Sequence, residues 1–248
     1  MKVIALNTWG GIVKEPLMDF LREHKDEVDV FCFQEVLNGE TPNDVESGKT
    51  PGPCYNLYKL FEGVLDSHVG YFRPHYKESY GLAIFVRKGI VVIDEGEHYV
   101  HREKGYIPEG NSGFHARTIH YVTLDTPNGV RTVINFHGLW NGKGKTDTED
   151  RLMQSGKILD FIKELKNPYV LCGDFNLLPS TQSLTMFEEA GLRNLVKEYG
   201  VTSTRTSHYT KPDKYADYVF TSHGVTVKSF SVLPHEVSDH SALLVEFE

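Results

Sequence analysis

Tyr169-Val-Leu-Cys-Gly-Asp-Phe-Asn176, with Leu177, Leu178 and Pro179 behind it, is the stretch on which the fold turns. Four mostly apolar residues run into a glycine. An aspartate and an asparagine then stand at alternate positions, so a buried strand ends by presenting two oxygen-bearing side chains on one face. Pro179 cannot continue a sheet ladder, and Ser180 or Thr181 can cap a following helix. Asp174 and Asn176 are thereby placed at a strand's carboxyl end, where open α/β sheets hold ligands. The plainer alternative is that both residues only shape the turn, a common use of Asp and Asn.

The same design recurs on either side. Val3 to Trp9 is an apolar run that reaches Asn7 before two glycines, and Asp29 to Glu35 discharges into a carboxylate. Thr126-Pro127-Asn128-Gly129 is a hairpin signal that leads from Tyr121 to Asp125 into Arg131 to His137, again a β-branched run ending in a functional side chain. Val69 to Tyr76, Leu82 to Lys88, Ile90 to Asp94 and Ala116 to Asp125 read as strands, as do Tyr215 to Ser222, Val225 to Leu233 and Ser241 to Phe247. Helices are expected at Glu15 to His24, behind Pro16, and at Thr181 to Ala190, closed by Gly191. A third is expected at Glu149 to Lys166, with Leu152, Ser155, Leu159, Ile162 and Leu165 as one face. His101 to Phe114 and Asn141 to Thr148 are glycine-rich polar loops able to border a cleft, Asn38 to Asn56 is a long loop of the kind that is often functional, and Val201 to Lys214 reads as a further polar loop. Many strands with three or four helices imply two packed sheets covered by helices.

A chain of 248 residues with 40% hydrophobic and 24% charged content can bury a large core, and nothing in it marks a linker, so one domain over 1–248 is expected. A net charge of -8 excludes binding of polyanions by bulk field alone. Cys32, Cys54 and Cys172 are an odd number without metal spacing and read as free thiols in a reducing compartment. With no secretory leader and no segment long enough to span a bilayer, a cytoplasmic monomer with no obligate protein partner is expected.

Asn7, Glu35, His137, Asp174, Asn176, Asp217, Asp239 and His240 all fall at or beside strand ends. The histidines lack a zinc spacing such as His-Glu-x-x-His, and hard oxygen donors dominate, which suits Mg²⁺ with Mn²⁺ as a substitute. In this order and context the residues resemble the endonuclease/exonuclease/phosphatase superfamily, which includes exonuclease III, pancreatic deoxyribonuclease, inositol-polyphosphate 5-phosphatases and neutral sphingomyelinases. The resemblance is carried by Leu6-Asn7-x-Trp9, Phe33-Gln34-Glu35, Asn135-Phe136-His137, Gly173-Asp174-Phe175-Asn176, Asp217-Tyr218-Val219-Phe220 and Ser238-Asp239-His240-Ser241. Gly-Asp-Phe-Asn joined to a terminal Ser-Asp-His is the specific part.

The resemblance implies an α/β fold, a four-layer α/β/β/α sandwich of two mainly antiparallel sheets, and a metal-dependent phosphoester hydrolase site on one edge. It implies Glu35 as principal metal ligand, assisted by Asn7 and by Asp239 directly or through water. Asp174 would orient or deprotonate the attacking water, and Asn176 would hold that water or the phosphate. His240 would contact the scissile phosphate with Asp217 fixing its ring, and His137 would match the histidine of the deoxyribonuclease and sphingomyelinase branches. A carboxylate behind His240 is expected to raise its pKa. Arg117, Lys143, Lys145 and Arg151 are weaker phosphate-side candidates, and Trp9 and Trp140 either border the cleft or pack in the core.

His24, His68, His75, His98, His101, His115, His120, His208, His223 and His235 read as ordinary structural or surface histidines. A phosphodiesterase with nucleic acid as first substrate leads. Its rival is an enzyme for a small phosphoester such as a lipid head group or a sugar or inositol phosphate, which the acidic charge favours. A catalytically dead binding protein is disfavoured because every position that the chemistry needs is filled.

Overall fold

The computed structural model describes residues 1–39, 52–110 and 112–248. Most of the Asn38 to Asn56 loop therefore lies outside the described residues. In chain order the elements are β1 (Lys2–Asn7), α1 (Lys14–His24), β2 (Val30–Leu37), α2 (Leu57–Val64), β3 (His68–Tyr76), β4 (Tyr80–Arg87), β5 (Val91–His101), β6 (Arg117–Thr126), β7 (Gly129–His137) and α3 (Glu149–Glu164). They continue with β8 (Tyr169–Asp174), α4 (Gln182–Glu189), β9 (Arg193–Asn194), α5 (Leu195–Glu198), β10 (Asp217–Thr221), β11 (Val227–Val232) and β12 (Leu243–Phe247).

The strands form two six-stranded sheets, β11-β12-β1-β2-β4-β3 and β5-β6-β7-β8-β10-β9. Each is antiparallel except for one interior parallel pair, β1 with β2 and β7 with β8. The expected sandwich is present, its sheets mixed rather than uniformly antiparallel. Val3, Ala5, Val30 and Cys32 belong to the core shared with the second sheet, while Ile4, Leu6, Phe31 and Phe33 pack with α1 and α2 residues such as Leu17, Phe20 and Phe61. Period-two alternation sorts the residues in this way. The same alternation carries the inner face of β1 from Val3 and Ala5 to Asn7, that of β2 to Gln34, that of β7 from Val133 to Asn135 and His137, and that of β8 from Val170 and Cys172 to Asp174. Apolar side chains fill the middle of the sandwich and polar ones finish it at one end.

At that end the sheets are joined by hydrogen bonds. Gln34 Nε2 donates to Asn135 Oδ1 at 2.6 Å, and Asn135 Nδ2 donates to the Phe33 and Ala83 carbonyls at 2.9 and 3.1 Å, both side chains being fully buried. Gly173, at φ +135°, makes the approach possible: a Cβ there would stand 2.1 Å from the Phe136 carbonyl oxygen and 3.1 Å from Gln34 Nε2. A second link sits at the sheet edge, where Glu95 of β5 accepts from Arg73 Nε of β3 and bonds His120 Nε2 of β6, each at 2.8 Å.

Several boundaries differ from the sequence reading. α2 goes unread because its eight residues, with Leu57, Tyr58 and Phe61 buried, follow a long polar stretch. β5 runs on to His101 rather than ending at Asp94. It is an edge strand whose Glu95 and Glu97 break the apolar pattern, and its pairing to β6 shifts register at two places. The buried face of α3 is Arg151, Gln154, Ser155, Ile158, Leu159 and Ile162, with Leu152 and Leu165 only half-buried. The face is turned because Arg151 and Gln154 bond the Leu139 segment. Thr181 does stand at the N-cap of α4, yet the Gln182 and Ser183 amides donate to Asp147 at 2.7 and 2.9 Å, so a loop carboxylate supplies the cap.

Asn135→Leu leaves two buried carbonyls and the Gln34 amide without that partner, and should lower stability by about 2–3 kcal/mol. Thermal unfolding should record a fall of roughly 5–10 °C, and an unchanged midpoint would show that the buried amides do not hold the sheets together. Glu95 is pushed up by burial but pulled down further by His120 and Arg73, to about 2. Its contribution is therefore present above the ordinary value of 4.5 and lost as pH falls through 2. Glu95→Gln should be less stable than the wild type at pH 7, with the gap closing between pH 4.5 and 2 in acid-unfolding curves.

Candidate active site

Strand register builds the first part of the site. In the second sheet His137 is paired with Asp174 across the parallel β7–β8 ladder, and Asp174 with Asp217 across the antiparallel β8–β10 ladder. Three functional side chains are thus laid in a row at the polar end of the sandwich. The first sheet supplies the opposing wall. Asn7 ends β1, and Glu35 sits where the β2–β4 register slips, at φ +58°. A left-handed residue at a bulge breaks the alternation and re-aims its side chain, which is how Glu35 reaches the cleft beside an inward-facing Gln34.

The walls meet through Asn7, whose Nδ2 donates to Glu35 Oε1 at 3.0 Å and to Asp174 Oδ2 at 2.9 Å. Its Oδ1 is occupied by the Trp9 amide at 3.0 Å. Asn7 thus presents N–H groups to both acids and its side-chain oxygen to the Trp9 amide. Asp174 Oδ1 accepts from the Asn176 amide at 2.8 Å, with Asn176 held at φ +55°. Its Oδ2 also faces His137 Nε2 and His240 Nε2, each at 3.7 Å. These last distances are too long for hydrogen bonds.

His240 Nδ1 lies 2.8 and 2.9 Å from the two oxygens of Asp217, whose backbone amide donates to Thr204 Oγ1. The pair is buried. Burial pushes Asp217 up to about 7 and His240 down to about 4. The direction is opposite to the rise expected for His240, because in a fully buried site loss of hydration is the largest influence on the imidazole; Nδ1, set against two acceptor oxygens, is the donor of the pair.

The tautomer of His137 is opposite. Its Nδ1 is 3.1 Å from Arg117 Nη1, and a guanidinium has no lone pair, so Nδ1 must accept and the ring proton lies on Nε2, facing the cleft. Burial, then the Arg117 charge, keeps His137 well below the usual histidine range.

Asp239 Oδ2 accepts from Arg205 Nη1 at 3.1 Å, while its buried Oδ1 has no hydrogen-bond partner among the described residues. Glu35 is pushed up to about 7 by burial, against the Asn7 bond, with the Asp174 and Asp239 charges adding to the rise. A crowded set of carboxylates with an unanswered buried oxygen is a donor set that fits a hard divalent cation. Glu35 and Asp239, with Asp174 beside them, would hold it.

These groups line a cleft of about 560 Å³. All the residues singled out in sequence reach it or stand directly behind it, except two of the basic candidates. Arg151 is spent on the Leu139 and Thr146 carbonyls, and Lys143 is exposed on its loop. Lys145 does line the cleft. Its buried Nζ donates to the Tyr215 carbonyl at 2.8 Å and lies 4.9 Å from the Tyr209 ring centroid, and burial followed by Arg205 pulls it down to about 8. Trp9 and Trp140 both border the opening.

Sequence reading passed over Tyr80, Arg205 and Tyr209 and took His115 for an ordinary histidine, yet all four form part of the walls. Arg205 and Tyr209 come from the polar loop Val201 to Lys214, and His115 from just before β6. None has a local pattern to single it out.

The model of the Endonuclease/Exonuclease/phosphatase family matches residues 4–240. Among solved structures, a family protein from Leptotrichia buccalis covers 100% of this chain with 99% of its own (TM-score 0.73, 21% identity). The mannosyl-6-phosphatase of Bacteroides thetaiotaomicron does so with 99% of its chain (TM-score 0.71, 19% identity). The catalytic domain of human Nocturnin, solved with a bound sulfate anion, does so with 93% (TM-score 0.68, 18% identity). At these identities the likeness is one of fold. A direct comparison with curated protein sequences finds no match. With the family pattern spanning the chain from the first strand to the terminal histidine, and its motif residues meeting in one cleft, the chain belongs to the endonuclease/exonuclease/phosphatase family of phosphoester hydrolases.

Proposed function

We propose that residues 1–248 act as one catalytic unit, a Mg²⁺-dependent phosphoester hydrolase, with Mn²⁺ as a substitute, in which a water held at Asp174 attacks phosphorus in line. The observation that carries this reading is the meeting of Glu35, Asp174, Asp239, His137 and His240 in one cleft. A phosphoester resists attack because its anionic oxygens repel the nucleophile, so a catalyst must screen that charge, align the water and answer the leaving oxygen. A divalent ion on Glu35 and Asp239 would supply the charge screening when bound. Asn7 orients Glu35, and the Asn176 amide and Asn7 fix the Asp174 carboxylate so that its remaining valence faces the water. His137 Nε2–H is a fixed donor toward the phosphate oxygens. His240 enters neutral, and the anion of the substrate favours its protonated form, with Asp217 retaining Nδ1–H and Nε2 facing phosphorus.

A compact phosphoester is the favoured substrate. The volume of the cleft is that of a small-molecule site, the protein is acidic, and the buried Lys145 ammonium has no carboxylate within ion-pair distance among the described residues. An entering phosphate would answer that charge. The fold likeness to a mannosyl-6-phosphatase is in keeping with this choice. The second reading, cleavage of a nucleic-acid phosphodiester, draws on Trp9 and Trp140 at the rim, which can stack on bases. The free thiols of Cys32, Cys54 and Cys172 support a reducing, cytoplasmic setting, and no described helix is long and apolar enough to cross a membrane.

A panel of sugar, inositol and nucleotide phosphates, aryl mono- and diesters, sphingomyelin, DNA and RNA should show turnover that Mg²⁺ supports and chelator stops, fastest on a small ester. Asp174→Asn and His240→Ala should each lower kcat by about 10²–10⁴ with unfolding curves near wild type. Full activity in Asp174→Asn would remove the water-positioning role. On the best substrate, Lys145→Met should raise KM at least about tenfold while kcat changes less, the signature of lost ground-state binding. A pure kcat effect would place Lys145 elsewhere in the reaction.

A further inference from the structure

Away from the cleft, the last turn of α1 and the connector from β11 to β12 bring three metal-capable side chains together. Glu23, His24 and His235 each offer a ligand atom, and these atoms all lie within 4.8 Å of one another. His235 Nε2 is 3.4 Å from Glu23 Oε2, and the two imidazoles meet edge to face with centroids 5.3 Å apart. Both rings also lean on Phe20, at 4.6 and 5.0 Å between centroids, which limits their freedom. One nitrogen of each ring, His24 Nε2 and His235 Nδ1, is buried with no hydrogen-bond partner.

An ion pair at a helix end would account for the Glu23 contact but would leave both of those nitrogens unanswered, and buried polar atoms without partners are rare unless something binds them. We propose that Glu23, His24 and His235 form a second metal site that takes a borderline transition ion of the Zn²⁺ class. Two imidazoles and one carboxylate are the donor types such an ion prefers, and three protein ligands leave a position for water. The catalytic cleft is built mainly of oxygen donors, so the two sites differ in the ion that they favour.

Tetrahedral zinc sets its donors roughly 3.3 Å apart, which Glu23, exposed on the helix end, and His235, on an irregular connector, can reach by small side-chain rotations. The site has structural reach, because the connector goes on to Ser238, which bonds the Asn7 carbonyl at 2.7 Å, and to Asp239 and His240. An ion here would fasten the start of that connector to α1.

Zn²⁺ titration of the full chain in saturating Mg²⁺, by calorimetry and by thermal unfolding, tests the site. Wild type and Asp174→Asn should both bind Zn²⁺ and gain about 5–10 °C in Tm at a hundredfold excess over Kd. His24→Gln and His235→Asn should bind at least tenfold more weakly and lose that gain, while matching wild-type Tm in chelator. Equal binding by the histidine variants, or binding lost only in Asp174→Asn, would overturn the proposal. If either histidine variant fails to fold, Co²⁺ added to the wild type decides: paramagnetic shifts of the His24 and His235 ring protons support the site, and unshifted signals refute it.

Discussion

The buried amide link between the two sheets is the constraint on which the rest depends. Two sheets packed by apolar side chains alone can slide, because dispersion contacts are non-directional, whereas the bonds from Gln34 Nε2 to Asn135 and from Asn135 to the Phe33 and Ala83 carbonyls are directional and hold one register. That arrangement fixes the end of β2 over the ends of β7 and β8. Asn7 then spans from Glu35 to Asp174, and residues from opposite ends of the chain share one cleft.

What the link assembles is an electrostatically unfinished site. Burial, with the Asp174 and Asp239 charges adding to it, pushes Glu35 up, and Asp239 keeps a buried oxygen without a partner among the described residues, while on the other wall the buried Lys145 ammonium meets the Tyr215 carbonyl and the Tyr209 ring. A divalent cation and an anionic ester, as proposed, would answer the acidic and basic groups of this one cleft. The histidines are set to different tasks by their neighbours. Arg117 leaves His137 a donor at Nε2, whereas Asp217 accepts from His240 Nδ1 and leaves Nε2 toward the cleft.

The chemistry of the two metal-capable clusters separates in the same way. Hard oxygen donors crowd the cleft, and softer imidazoles meet at the end of α1. His24 and His235 are 211 positions apart in sequence and carry no motif, so only their packing around Phe20 makes them a pair.

How much was legible follows from the range over which each signal acts. Alternation is local, so the strands ending in Asn7, His137 and Asp174 and the hairpin at Thr126 to Gly129 can be read directly, as can the polar residues at their tips. α2, the continuation of β5 and the turned face of α3 were not legible, because a short helix, an edge strand and a helix face committed to Arg151 and Gln154 owe their form to neighbours. Of the basic residues, sequence could not tell Lys145, which enters the cleft, from Arg151, which ties a loop, since both stand near the same polar segment. It also misjudged the direction of His240, because partner charge is visible in a motif and burial is not. The sequence by itself determined which strands end in functional side chains and in what order. The tertiary structure alone decided which of those ends face one another, which nitrogen of each histidine is free and which charges go unanswered, because these depend on contacts between segments that are far apart in the chain.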